Sequence, residues 1–182
     1  MAKEAADYYA VKMLVSEKIY YLRKERFPFN IDISKIIRNQ TSPFVFHKTL
    51  NYGECIMEKR TAQEMKLDEM LFLNMNDEIC EGTTCNIFFV KKNQLFTPRI
   101  SSGLLPGIIR DYICRTYSVI EAVITPSQIS EFDECFVTNS LLGIMPVHRL
   151  AEKIFVKRAI TNQILNDYFQ NVFVLQNPVF PI

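Results

Sequence analysis

Apolar and polar positions along the chain fall into short runs whose period changes often. Tyr8 to Ser16 and Lys18 to Lys24, rich in Tyr, Val and Leu, predict two strands. Phe27-Pro28-Phe29-Asn30 breaks the second, and Ile31 to Ile37 alternates weakly, as a further strand would. Phe44-Val45-Phe46 predicts an extended, apolar lead-in to Lys48. From Asn51 to Lys66 the pattern turns helical, with Tyr52, Cys55 and Ile56 on one face and Asn51 placed to cap it. Two hairpins follow. Glu69 to Leu73 and Glu78 to Cys80 flank Asn74-Met75-Asn76-Asp77, and Asn86 to Val90 and Leu95 to Thr97 flank Lys92-Asn93. Next come a helix over Gly107 to Tyr117, a strand over Val119 to Ile124 and a helical turn over Pro126 to Ile129. Glu134 to Val137 and Gly143 to Val147 predict two more strands. Ile160, Ile164 and Tyr168 recur at helical spacing within a last helix over Ala159 to Phe173. Strands and helices without strict alternation predict an α+β fold rather than a doubly wound sheet.

Composition narrows the classes. At 182 residues, with 48% hydrophobic and 23% charged positions, the chain has enough apolar surface for one real core. A net charge of +1 gives no electrostatic case for nucleic acid or a membrane surface. No apolar run approaches the length of a membrane-spanning helix. The opening Met1-Ala2-Lys3-Glu4-Ala5-Ala6-Asp7 lacks the apolar stretch of a signal peptide. Five cysteines, none in a C-x-x-C pair, fit reduced thiols in the cytoplasm better than disulfides. With only His47 and His148 beside those scattered thiols, no metal site is expected.

Three features carry candidate chemistry. Lys48 follows an apolar segment, and a buried lysine sheds its proton to become a nucleophile. Most single lysines are merely solvated, so its neighbours must decide. Glu81 ends an apolar strand and precedes the small residues Gly82, Thr83 and Thr84. A carboxylate there either faces water or keeps a pyridine nitrogen protonated. Leu105-Pro106-Gly107-Ile108-Ile109-Arg110 opens a helix whose first amides, at Ile108 and Ile109, favour a phosphate. An amine, a ring-nitrogen carboxylate and a phosphate cradle are together the three handles of pyridoxal phosphate (PLP). Ser140 adds a hydroxyl near the phosphate, and Tyr52 lies one turn beyond Lys48, within reach of the ring. His47 should point away from Lys48 on an extended strand. Cys85 reads as a pocket wall and His148 carries no assignment.

The arrangement resembles the class IV aminotransferase family, the fold type IV PLP enzymes. The resemblance runs from Glu81 through Asn86-Ile87-Phe88 and Leu95-Phe96-Thr97 to Leu105-Pro106-Gly107-Ile108-Ile109-Arg110. With Lys48-Thr49-Leu50-Asn51-Tyr52 and Asn139-Ser140-Leu141-Leu142-Gly143-Ile144-Met145-Pro146-Val147 it covers about Phe27 to Val174. Those two segments look most like the aminodeoxychorismate lyase branch. The transaminase branches usually carry Glu and Thr where this chain has Gly143 and Met145.

The resemblance implies the C-terminal, PLP-binding domain of the D-amino-acid aminotransferase-like fold, a mixed sheet or pseudo-barrel with flanking helices. It implies that Lys48 holds PLP as an imine and serves as the base, with Glu81 on the pyridine nitrogen. Tyr52, Leu105, Gly107, Ile108, Ile109, Asn139 and Ser140 would surround the cofactor. Thr83, Thr84 and Leu141 would line the substrate side. The implied reaction turns 4-amino-4-deoxychorismate into 4-aminobenzoate and pyruvate in folate synthesis, within a homodimer. Two alternatives stay open: transamination of branched-chain or D-amino acids, and a non-catalytic domain. The family normally carries an N-terminal domain that supplies a phosphate-binding arginine and the proton donor to the leaving pyruvyl group. Here residues 1–26 are expected to be only the tail of that domain and residues 27–182 the PLP-binding domain. PLP is accordingly expected to bind weakly, with little or no turnover.

Overall fold

The computed structural model describes residues 27–173. The two N-terminal strands expected before Phe27 lie outside that range. Nine strands form one mixed sheet in the order β3-β2-β1-β8-β7-β4-β5-β6, with β9 paired to β8. They are β1 (Phe29–Arg38), β2 (Glu69–Asn74), β3 (Ile79–Gly82), β4 (Asn86–Lys91), β5 (Gln94–Pro98), β6 (Val119–Ala122), β7 (Glu134–Asn139), β8 (Gly143–Leu150) and β9 (Lys153–Ile154). The helices are α1 (Gly53–Glu64), α2 (Ile108–Thr116) and α3 (Ala159–Tyr168). β1 runs parallel to both β2 and β8, and β5 parallel to β6; the other pairs are antiparallel.

β2 and β4 are buried on both faces along almost their whole length, so they read as near-continuous apolar runs rather than alternating ones. Alternate residues of β4 serve different cores. Ile87 and Phe89 join Ile31, Leu71, Val137 and Val147 in one cluster. Phe88 and Val90 join Ile113 of α2 and Ile164 and Tyr168 of α3 in the other. The first cluster draws on both halves of the strand order, which requires the sheet to curl. Its two ends meet where the Ile79 amide donates to the Ile124 carbonyl at 2.7 Å. This is the mixed, barrel-like sheet with flanking helices that the resemblance implied.

Turn chemistry fixes the second hairpin. Lys92 and Asn93 both take positive φ, 50° and 65°, the twist that a two-residue loop between antiparallel strands needs.

Several expectations need correction. Phe44-Val45-Phe46 is not extended: Pro43–Phe46 forms a 3-10 turn, because proline pre-sets a helical φ at its first position. Phe44 is exposed and so is Lys48, so the apolar lead-in does not bury the lysine. α1 starts at Gly53 with Tyr52, not Asn51, at its N-cap, and no side chain caps it. Its inward face carries Glu58 and Ala62, while Ile56 is exposed. The last helix stops at Tyr168 and passes into a π turn over Phe169–Phe173. β9 had no sequence signal beyond its two residues.

Candidate active site

A cleft of about 690 Å³ opens where the ends of β3 and β7, the start of α2 and the loop before α1 converge. Every residue singled out from the sequence lines it: Lys48, Tyr52, Glu81, Thr83, Thr84, Leu105, Gly107, Ile108, Ile109, Asn139, Ser140 and Leu141. These positions span most of the described chain, so only the fold brings them together.

Lys48 stands on a tight loop. The Tyr52 amide donates to the Leu50 carbonyl at 2.9 Å, and the Asn51 amide to Thr49 Oγ1 at 3.2 Å. The curl of this loop sets the Lys48 ammonium over the Tyr52 ring, 4.8 Å from its centroid, with Nζ donating to the Tyr52 hydroxyl. His47 lines the same cleft, against the expectation that it turns away, because the segment is not a strand.

Glu81 does not face water. It is 7% exposed and both of its oxygens are held. Arg38 Nη1 donates to Oε1 at 2.8 Å; Asn86 Nδ2 and the Leu105 amide donate to Oε2 at 3.2 and 3.1 Å. Burial pushes its carboxyl up to about 7, against the opposing pull of Arg38. The Arg38 guanidinium lies over the Phe72 ring, 4.2 Å from its centroid, and reaches Cys55 Sγ at 3.4 Å. Burial raises the Cys55 thiol, with Arg38 pulling the other way, so it is no activated thiolate.

The start of α2 brings bare backbone donors to the same cleft. Gly107 is the N-cap of α2, and its carbonyl receives the first helical bond, from Asp111, at 2.9 Å. That leaves the Ile108 and Ile109 amides without helical partners, and no side chain caps them. A Cβ on Gly107 would lie 2.3 Å from Asn86 Oδ1, so only glycine lets the helix start come this close. Asn86 pairs across the sheet with Thr138, which is 1% exposed and whose Oγ1 has no partner among the described residues. An orphaned hydroxyl buried beside a helix N-terminus is what a phosphate would satisfy. The residues present therefore fit PLP: an amine, a held carboxylate and an uncapped helix start share one cleft.

Asn139 ends β7 and ties two loops, donating from Nδ2 to the Thr84 carbonyl at 3.1 Å. Gly143 takes φ +67°, and a Cβ there would meet Tyr168 at 2.9 Å, so a side chain would be strained and crowded. No group of side chains able to hold a metal occurs among the described residues.

Sequence reasoning missed Arg38, Cys55 and Thr138. Arg38 and Glu81 are 43 positions apart. Only the parallel register of β1 on β2, with Arg38 opposite Asn74, brings the guanidinium to the end of β3. A basic residue closing an alternating strand was the available signal, and it is a weak one.

Comparison with known proteins gives the same reading. A provisionally named branched-chain-amino-acid aminotransferase of Thermotoga maritima is 36% identical over 92 residues, covering 48% of this chain and 34% of that one. An aminodeoxychorismate lyase of Vibrio harveyi is 31% identical over 106 residues, covering 56% and 39%. Among solved structures, a Legionella pneumophila protein provisionally named 4-amino-4-deoxychorismate lyase superposes with TM-score 0.76 at 32% identity. It covers 80% of this chain and 57% of its own. The chain thus spans only about a third to three fifths of these relatives. The family model described as amino-transferase class IV matches residues 10–150. The chain therefore belongs to the class IV aminotransferase family.

Proposed function

We propose that the cleft binds PLP and acts on a primary amine, as a lyase that converts 4-amino-4-deoxychorismate into 4-aminobenzoate and pyruvate. The observation that carries the PLP reading is that Lys48 with Tyr52, Glu81 with Arg38, and the bare start of α2 with the partnerless Thr138 hydroxyl all line one cleft. Class IV aminotransferases are PLP enzymes as a family. When bound, PLP supplies an electron sink through its protonated ring nitrogen.

The chain's own residues then have separable tasks. Lys48 would hold the cofactor and, once freed from it, serve as the base, with the Tyr52 hydroxyl orienting its Nζ. Glu81 would keep the ring nitrogen protonated, and Arg38, Asn86 and the Leu105 amide fix its carboxyl. The Ile108 and Ile109 amides, Ser140 and Thr138 would hold the phosphate. Thr83, Thr84 and Leu141 face the substrate.

The lyase branch is favoured by Gly143 and Met145, which stand where transaminases of the family usually carry Glu and Thr. Branched-chain transamination is the second reading, supported by the Thermotoga maritima relative. The product separates them. Turnover by this chain is expected to be low; whatever 4-aminobenzoate PLP-loaded chain releases from 4-amino-4-deoxychorismate is expected to be matched by an equal amount of pyruvate, with no amine donor consumed. Formation of a keto acid from a branched-chain amino acid, without pyruvate release, would instead support the transaminase.

A further inference from the structure

Glu69 opens β2 behind the cleft and does not line it. Its side chain is a carboxylate, yet the residue is only 1% exposed. Donors from α1, β2 and the turn after β3 converge on it. Oε1 accepts the Met70 amide at 3.0 Å, the Thr83 amide at 3.1 Å and the Thr83 hydroxyl at 2.5 Å. Oε2 accepts the Thr84 hydroxyl at 3.0 Å, Lys59 Nζ at 3.3 Å and the Cys85 thiol, a weak donor, at 3.7 Å. Buried ion pairs seldom stabilise a fold more than apolar residues of equal volume. What this carboxylate does is fix geometry, since it grips the Thr83-Thr84 turn by both hydroxyls and one amide.

The turn passes that placement on. Thr83 and Thr84 line the cleft, and the Thr84 carbonyl accepts Asn139 Nδ2 at 3.1 Å across 55 positions of sequence. An amide side chain has a donor end and an acceptor end, so the bond at Nδ2 decides which way Oδ1 faces. Oδ1 faces the loop after β7, where it accepts the Leu141 amide at 2.9 Å and the Leu142 amide at 2.7 Å. Ser140 and Leu141, which both line the cleft, stand on the loop held in this way.

We propose that Glu69 is a positioning residue: through the Thr83-Thr84 turn and Asn139, its carboxylate sets where Ser140 and Leu141 stand in the cleft. That Ser140 meets a phosphate and Leu141 a substrate rests on the PLP reading above; the coupling of Glu69 to their loop does not.

Glu69→Gln tests the coupling. Glutamine keeps one oxygen for the Met70 and Thr83 amides, which cannot reverse. Its NH2 then takes the place of Oε2, facing Thr84 Oγ1 and Lys59 Nζ, so the hold on Thr84 is lost. Hydrogen–deuterium exchange of the cofactor-free chain is followed by NMR. The Leu141 and Leu142 amides, bonded to Asn139 and not to Glu69, are expected to exchange about tenfold faster, the scale of one hydrogen bond. Amides of β5 and β6 are expected to keep their rates. Thr84→Val, at an exposed position, should speed the same two amides, and Thr84→Ser should restore them.

Unchanged exchange at Leu141 and Leu142 in Glu69→Gln would overturn the proposal, as it would in Thr84→Val should Glu69→Gln fail to fold. Faster exchange spread evenly over β5 and β6 in both variants would mark a carboxylate that only stabilises, and would overturn it too. PLP is then titrated into each chain. Glu69→Gln and Asn139→Ala are each expected to weaken its binding severalfold, and together no more than the stronger alone, as members of one path. Unchanged affinity in Glu69→Gln, or factors that multiply, would overturn the path. Failure of PLP to attach to the unaltered chain would overturn the PLP reading and leave the exchange result standing.

Discussion

Arg38 and Glu81 form a buried ion pair, and such pairs are not retained for stability alone. Their arrangement holds a carboxyl, unable to turn, at the edge of the cleft. Removing Arg38 takes away the group that draws the buried carboxyl towards its charged form, so Glu81 keeps its proton and loses one hydrogen bond. Arg38→Ala is therefore expected to lower unfolding free energy by about 1–3 kcal/mol, as measured by urea denaturation. A loss within 0.5 kcal/mol, about the scatter of surface substitutions, would mean the pair is open to water. Glu81 also sets a pH dependence. Its carboxyl lies near 7 in the folded chain against 4.5 for a free group, because burial disfavours its charge. Between those values the folded state keeps a proton that the unfolded state has released. This group's contribution to stability is thus whole below about 4.5 and is lost as pH rises towards 7. Cofactor-free Glu81→Gln should lack that decline, measured as denaturant midpoints across the window. Parallel pH curves for the two proteins would contradict the assignment.

Elements were more legible than the positions of side chains within them. The hairpin at Lys92-Asn93 and the helix after Gly107 follow from local rules that act over a few residues. The fate of Lys48 does not. Its exposure depends on Pro43 turning the chain and on where α1 lands against β1 and β2. The site residues could be named from the sequence because the motif spacing resembles a known family; alternation and helical period alone gave no reason to join Lys48 to Glu81. What stayed hidden was pairing at long range: Arg38 with Glu81, Thr138 beneath the start of α2, and Glu69 behind Thr83 and Thr84. Gly107 tests the element scale. Gly107→Ala must displace Asn86, which holds both Glu81 and the Leu105 carbonyl. We expect at least about a tenfold loss of PLP affinity, the scale of one or two charged hydrogen bonds, with the far-ultraviolet circular dichroism unchanged. Unaltered affinity would show that the helix start is not the phosphate cradle.

At the scale of the molecule, the described residues form a curled sheet whose ends meet at Ile79 and Ile124, with α2 and α3 packed on its outer face and the cleft at one end. Half of the described strand pairs, β1 with β2 and β8, β4 with β7, and β5 with β6, join distant parts of the sequence, so the cleft exists only once the sheet has closed. Leu50, Ile108 and Leu141 stand exposed around the cleft or next to it, and we propose that a second copy of the chain covers that side. The central claim is that this scaffold sets Lys48 to carry PLP. The most direct measurement adds PLP to the purified chain, records the absorbance, reduces with borohydride and maps the modified peptide by mass spectrometry, alongside Lys48→Ala. A violet-region band that reduction fixes on Lys48, and that the variant lacks, is expected. No band, or one that persists in Lys48→Ala, would contradict it.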